Sequence, residues 1–312
     1  MYMPKFTFLE KEGYIPIAKI VSQDNLNGEI LFLDPSFQSN DEDSFNYDKQ
    51  AVNFKKYMKN MTAKDINKKS EVVSKYLQKG KEPEDPEIKS IYKNIMKDGN
   101  KEIILKNGHF VPIPNPAKER FSAFISGPAG SGKSYFASDV LQQWSKLHPK
   151  GEIFLFSQLF EDPVLDKLKN LHRVDVNTLL EEPIDVFDIP EGSFVVFDDV
   201  DSIPNKKILE QVEALENSIH QVGRKLRINI IRTSHLSADG RRTRMVLSEC
   251  QYIVVYPSSG SWHQIQYVLK TYVGLSNADL AKIKSLRSRW VMVSKSSPQY
   301  VLSEHECYLV AG

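Results

Sequence analysis

The eight residues from Gly127 to Ser134, GPAGSGKS, constrain this chain more than any other stretch. They match the pattern G-x-x-x-x-G-K-[ST]. An apolar run, FSAFIS (Phe121 to Ser126), precedes them, and a segment with helical spacing, Ser134 to Leu147, follows. Glycines in such a loop let the backbone turn so that successive N–H groups face an anion at a helix N-terminus. A match arises by chance in about one chain in a hundred of this length, and the strand–loop–helix setting lowers that further. The pattern therefore predicts a phosphate cradle made of Gly127, Pro128, Ala129, Gly130, Ser131, Gly132, Lys133 and Ser134. In it Lys133 would reach the β- and γ-phosphates of ATP, and Ser134 would ligate Mg²⁺.

A second stretch complements the first. FVVFDDVD (Phe194 to Asp201) is an apolar run that ends in two adjacent carboxylates. Burying two such charges side by side is costly unless each has a partner or a task. A phosphate loop needs a strand whose end supplies a carboxylate to the magnesium shell, and Asp198 takes that place. Asp199 either polarises the attacking water or serves as a turn residue before VDSIP. Asp201 reads as a capping or surface residue. A GTPase would show a base-reading NKxD, which Asn205-Lys206-Lys207-Ile208 lacks. A small-molecule kinase usually carries an Arg-rich lid, and the dense Arg cluster here is Arg241-Arg242-Thr243-Arg244.

Strand-like runs alternate with helical segments around these motifs. EIFLFS (Glu152 to Ser157), FVVFD, LRINIIRTS and YIVVY (Tyr252 to Tyr256) are rich in β-branched and aromatic residues. Between two of them, Lys206 to Val222 is helical, with Ile208, Val212, Leu215 and Ile219 on one face. This alternation predicts an α/β P-loop NTPase of additional-strand type, with a mainly parallel sheet covered by helices on both faces. Beyond Trp262 come two helices and a hairpin, RWVMVSKSSPQYVL, turning near Ser296 to Pro298.

Before the phosphate loop the texture differs. TFLE, YIPIAKIV and EILFLDP read as short strands, and the stretch from Gln38 to Asn100 is dominated by Lys, Asp, Asn and Glu. Solvated helices or a mobile linker, rather than core, are expected there. The implied division is an N-terminal extension, 1–115, and an ATPase domain, 116–312. Lys plus Arg (41) nearly cancel Asp plus Glu (40), so any surface for a polyanion must be local. Lys167, Lys169, His172 and Arg173 form one such candidate patch, and Arg241, Arg242 and Arg244 another. Cys250 and Cys307 stand apart, which excludes a disulfide framework and argues against a zinc site. No membrane-length apolar run or secretory leader is evident, so an intracellular protein is expected.

A third constellation leaves the strand expected beside the magnesium strand. VGRK (Val222 to Lys225) ends a helix, and RTSH (Arg232 to His235) ends the next strand. Thr233, Ser234 and His235 are candidates to contact the γ-phosphate or the attacking water, with Ser234 and His235 ahead. The order GPAGSGKS, FVVFDD, VGRK, RTSH resembles the FtsK–HerA class of DNA-pumping ATPases. More narrowly it resembles the poxvirus-type genome-packaging ATPases of large double-stranded DNA viruses and virophages. The stretches HLSADGRRTRMVLSECQYIVVYP, YVLKTYVGLS and SRWVMVSK share that texture, so the likeness spans roughly Phe121 to Leu309. It implies Mg²⁺-dependent ATP hydrolysis, double-stranded DNA as partner and a ring of subunits, commonly a hexamer, with contacts to capsid or vertex proteins. Host-cell cytoplasm, a viral factory or the virion would be its setting. The resemblance makes Arg224 a finger acting on a neighbouring subunit's γ-phosphate, while a solvated helix-end cation is the alternative. The wider class often has Glu as second acid and Gln as sensor, where this chain has Asp199 and Ser234-His235.

Overall fold

The computed structural model describes residues 4–35, 46–99, 101–115 and 120–310. The chain forms two compact units, Met1–Phe110 with His305–Leu309, and Val111–Glu304 with Val310–Gly312. The acidic tract at 39–45 and the residues just after the expected boundary at 115 lie outside the described residues.

In the first unit, β2 (Ile15–Val21) and β3 (Ile30–Asp34) are strands expected from the sequence, whereas β1 (Lys5–Thr7) precedes the expected TFLE and shares only Thr7 with it. β3 pairs antiparallel with both β1 and β2. After α1 (Phe54–Tyr57) come two longer helices, α2 (Ala63–Lys79) and α3 (Pro86–Asp98). Thr62 caps α2 and Asp85 caps α3, each side chain accepting first-turn N–H groups that have no helical partner. Gly80 ends α2 in the left-handed conformation that glycine adopts without steric cost. This charged stretch has a core of its own. Val73 and Leu77 of α2 meet Ile88, Ile91, Tyr92 and Ile95 of α3 over Met58. The apolar residues are few, but helical spacing gathers them onto one face. β4 (Glu102–Ile104) and β5 (His109–Pro112) follow, and β5 lies at the β2 edge of the sheet.

The second unit carries the α/β architecture. Its elements run β6 (Ser122–Ser126), α4 (Lys133–Leu147), β7 (Ile153–Ser157), β8 (Leu171–Asp175), β9 (Phe194–Asp198) and α5 (Lys206–Val222). Then come β10 (Asn229–Ser234), α6 (Gly240–Glu249), β11 (Tyr252–Val255), α7 (Trp262–Val268) and α8 (Asn277–Ser285). β12 (Val291–Ser294) and β13 (Tyr300–Ser303) form the expected C-terminal hairpin. β14 (Glu306–Leu309) belongs to the first unit, where it pairs antiparallel with β4.

Spatial order in the second unit is β13-β12-β11-β6-β10-β9-β7-β8. The strands from β11 to β8 are mutually parallel, and β12 and β13 close that edge antiparallel. β10 lies between β6 and β9, so one strand separates the phosphate-loop strand from the strand ending in Asp198. Each central strand is buried along its length, which is why these runs are continuously apolar rather than alternating. On one side α5 lays Ile208, Val212, Leu215 and Ile219 over Phe156, Val195 and Phe197. Elsewhere Trp144 of α4 meets Phe194 edge-on at 5.4 Å. Each such fully buried side chain contributes about 1.5–3 kcal/mol. The parallel registers bring the C-terminal ends of β6, β10 and β9 to one edge, and the candidate site forms there.

Candidate functional site

The loop leaving β6 is built to stay small. A Cβ on Gly127 would stand 2.7 Å from both Ser131 Oγ and a Tyr256 ring carbon, too close for any real contact. Gly130 and Gly132 have φ of +74° and +106°, a region that other residues rarely enter. Pro128 O accepts from Ser131 N at 3.2 Å, closing the turn, while Ala129 is exposed at its tip. Gly127 N donates to Ser234 O at 3.1 Å, tying the loop to the end of β10. Ser131 Oγ is buried without a hydrogen-bond partner. Lys133 and Ser134 open α4, whose first-turn N–H groups present partial positive charge.

Lys133 is nearly buried, at 7% exposure. Its ammonium donates to Gly127 O at 3.0 Å and lies 3.4 Å from both Asp199 Oδ2 and His235 Nδ1. His235 Nε2 is 3.1 Å from the same Asp199 oxygen. Asp198, at the tip of β9, is buried, and Thr233 Oγ1 donates to its Oδ1 at 2.8 Å. The same hydroxyl is 3.1 Å from Asp199 Oδ1 and accepts the Asp199 N–H at 2.9 Å. Asp199 itself has φ +44°, a left-handed backbone costing a non-glycine residue about 1 kcal/mol or more. That twist at the end of β9 leaves Asp198 against Thr233 and Asp199 against Lys133 and His235.

Electrostatics mark Asp198 as the strained partner. Burial, and next the negative charge of Asp199, push its carboxyl up to about 6, with Thr233 and Lys133 acting the other way. A buried carboxylate held above its ordinary range is a ready cation ligand. Among the described residues no three His, Cys, Asp or Glu converge as a metal site. Asp198 and Ser134 are the residues here that could hold a magnesium ion beside phosphate oxygens. The orphaned Ser131 hydroxyl, the glycine cradle and Lys133 fit a nucleotide's phosphates in the same place.

Asp201 and Ser234 turn out to serve a different assembly. Arg232, only 1% exposed, forms ion pairs with Glu216 of α5 and with Asp201. Ser234 Oγ donates to Asp201 Oδ2 at 2.6 Å. Ser234 is therefore occupied beside the site, and Asp201 is neither a helix cap nor a simple surface group. Thr233, ranked behind Ser234 and His235 on sequence, is the residue between the two carboxylates. The register explains this: β10 aligns Arg232 with Phe197, so the next pair along is Thr233 beside Asp198. Alternation along β10 then sends Arg232 and Ser234 to the other face. Arg232 gave no sequence signal beyond a charge closing an apolar run, and nothing set Glu216 apart from Glu210 and Glu213 on the same helix. Burial pushes Glu216 up to about 7, with Arg232 opposing.

Other expected residues fall elsewhere. Arg224 is exposed and precedes β10, so it lies at the N-terminal end of the parallel strands, away from the phosphate loop of its own chain. Arg173 pairs with Asp166 at 2.5 Å and donates to Leu159 O, while Lys167 and Lys169 are exposed. Arg242 lies 3.6 Å from Glu213 and 3.8 Å from Asp239, and the Arg241 side chain lies outside what is described. Both cysteines are buried and form no disulfide among the described residues. No described helix is long and apolar enough to cross a membrane.

The fold and the motif order define the class: a P-loop NTPase of additional-strand type with an FtsK–HerA-like sequence of motifs. The chain is 34% identical over 220 residues to uncharacterized protein V3 of Sputnik virophage, covering 70% of this chain and 88% of that protein. It belongs to the family of that virophage protein. No family model matches the chain. Among solved structures, the DNA-packaging ATPase B204 from Sulfolobus turreted icosahedral virus aligns with 60% of this chain and 97% of its own. Its TM-score is 0.43 at 14% identity. The cytoplasmic domain of the Thermomonospora curvata type VII secretion ATPase EccC aligns with 66% of this chain and 28% of its own, with TM-score 0.43 and 12% identity. The pCW3 conjugation coupling protein TcpA covers 93% of this chain and 77% of its own, at TM-score 0.43 and 10% identity. At such scores and identities these neighbours say nothing of what this chain binds or does.

Proposed function

We propose that the protein is an ATP-hydrolysing motor that moves double-stranded DNA, and that its task is packaging viral DNA into a capsid. The observation that carries this reading is the convergence of Lys133, Asp198, Asp199, Thr233 and His235 on one glycine loop at one sheet edge. Membership in a virophage protein family supports the viral setting. In this reading residues 116–312 form the ATPase domain and residues 1–115 an N-terminal extension.

Lys133 and the N-terminus of α4 would hold the phosphates, and Gly127, Gly130 and Gly132 leave room for them. Magnesium, held by Ser134 and Asp198, would neutralise charge on the phosphate oxygens when bound. Asp199 would orient the attacking water and take its proton, with His235 beside the same carboxylate oxygen. Thr233 keeps the two aspartates apart and aimed, since its single hydroxyl touches both. Arg224 would reach a neighbouring subunit's nucleotide in a ring, because its own chain holds it at the far end of the strands.

Lys133→Ala should abolish ATP binding, and Asp199→Asn should keep ATP but lose turnover; full turnover in Asp199→Asn removes the base from the mechanism. A DNA motor should hydrolyse ATP faster with double-stranded DNA, and added salt should weaken that stimulation. A rate indifferent to DNA at every salt concentration would instead fit an ATP-binding assembly factor.

A further inference from the structure

The antiparallel edge of the second unit brings an arginine to the phosphate loop that the functional reading does not use. β12 pairs with β11 so that Val291 faces Val255. Residues just before β12 therefore leave the sheet at the same end as Tyr256 and the loop. Tyr256 is 1% exposed, and its ring packs against Gly127. Arg289 reaches across to the other glycine. A Cβ placed on Gly132 would stand 3.2 Å from Nη2 of Arg289, so the guanidinium lies directly on the loop backbone.

The segment carrying Arg289 is fixed in place. Its N–H donates to Glu304 Oε2 at 2.7 Å. Ser288 Oγ donates to Trp290 O at 2.6 Å and lies 3.2 Å from the same Glu304 oxygen. The Trp290 ring meets Phe136 of α4 edge-on at 4.9 Å. The guanidinium, in contrast, forms no ion pair with any described carboxylate. The Tyr256 hydroxyl and Ser131 Oγ, both buried around the loop, also lack hydrogen-bond partners. An exposed guanidinium without an ion-pair partner among the described residues, carried on a fixed backbone and lying on a loop that presents N–H groups, is arranged for a ligand of opposite charge.

We propose that Arg289 binds the phosphate chain of the nucleotide held by its own subunit, which makes the β12–β13 hairpin part of the ATP site. This rests on the reading of residues 127–134 as a triphosphate cradle. Arg289 thereby differs from Arg224, which the same reading assigns to the neighbouring subunit. It also gives the hairpin edge a direct sense of nucleotide occupancy.

The test is equilibrium binding of a fluorescent ATP analogue to the full-length protein at two salt concentrations. Arg289→Ala should weaken binding about tenfold, the loss expected for one exposed charge-assisted contact. Arg289→Lys should recover part of that affinity, and Arg287→Ala, in the same exposed segment, should bind as wild type. Lys133→Ala should bind nothing. At an ATP concentration low enough to limit Arg289→Ala, mixing it with Lys133→Ala subunits should restore no turnover, because both defects fall on one subunit's site, whereas Arg224→Ala mixed with Lys133→Ala should regain some. Wild-type affinity in Arg289→Ala beside a dead Lys133→Ala overturns the Arg289 assignment and leaves the cradle standing. Wild-type affinity in Lys133→Ala overturns the cradle itself. Restored turnover in the Arg289 mixture would mean the arginine serves a neighbour, and the proposal fails.

Discussion

Asp198→Asn should make the nucleotide-free protein more stable while it abolishes ATP hydrolysis. Burial, at 5% exposure, and next the charge of Asp199 raise the Asp198 carboxyl from 3.8 to about 6. Each pH unit corresponds to about 1.36 kcal/mol, so ionising Asp198 in the folded state costs about 3 kcal/mol relative to the unfolded chain. The sign follows from the raised value. Stability is fully present below about pH 4, where the group is protonated in both states, and is lost as pH rises through about 6. Asparagine removes that cost, keeps the shape and still accepts from Thr233 Oγ1. For a unit of this size each kcal/mol moves Tm by about 2–4 °C, so above pH 7 the variant should melt several degrees higher. The gap should close as the pH is lowered towards 4. Thermal melts of both proteins in nucleotide-free buffers across that range provide the assay. A variant that melts at or below wild type at pH 7.5, or a gap that does not depend on pH, would refute the reasoning that Asp198 is a penalised carboxylate awaiting a cation.

Three further outcomes follow from the geometry. Thr233→Val removes the one hydroxyl between the carboxylates and leaves the Asp199 N–H without its partner, so turnover should fall at least tenfold with ATP affinity nearly intact; unchanged turnover in a steady-state ATPase assay argues against the positioning role. Arg232→Met strands Glu216 and Asp201 without their cation and should cost about 3–5 kcal/mol in denaturant unfolding, whereas a loss under 1 kcal/mol would show that the pair is not structural. Gly127→Ala should disrupt the loop, because its Cβ would sit 2.7 Å from Ser131 Oγ and the Tyr256 ring; wild-type nucleotide affinity would contradict that packing.

Local signals made much of the fold legible. Helix α5 begins and ends where the sequence places it, Lys206 to Val222, since its apolar residues recur at helical spacing and Asn205 caps it. The strands ending in Ser126, Asp198 and Ser234 were readable because fully buried parallel strands are apolar from end to end. The α2–α3 pair was harder. Its buried residues are sparse, and only pairing two helices turns them into a core. β8 and α6 carry mixed polar patterns and gave no clear signal.

The phosphate loop was legible because its chemistry is local: glycine φ angles and a helix N-terminus need no distant partner. By itself the sequence determined the loop, the strand–helix alternation and the acidic pair. The tertiary structure decided which side chains serve that pair. Register between β9 and β10 chose Thr233 over Ser234, and alternation sent Ser234 with Arg232 to Asp201 and Glu216. Pairing of β12 with β11 carried Arg289 from the far end of the chain to Gly132. Each of these choices depends on how one strand slides against another, and a one-residue slip exchanges the faces without changing a single amino acid.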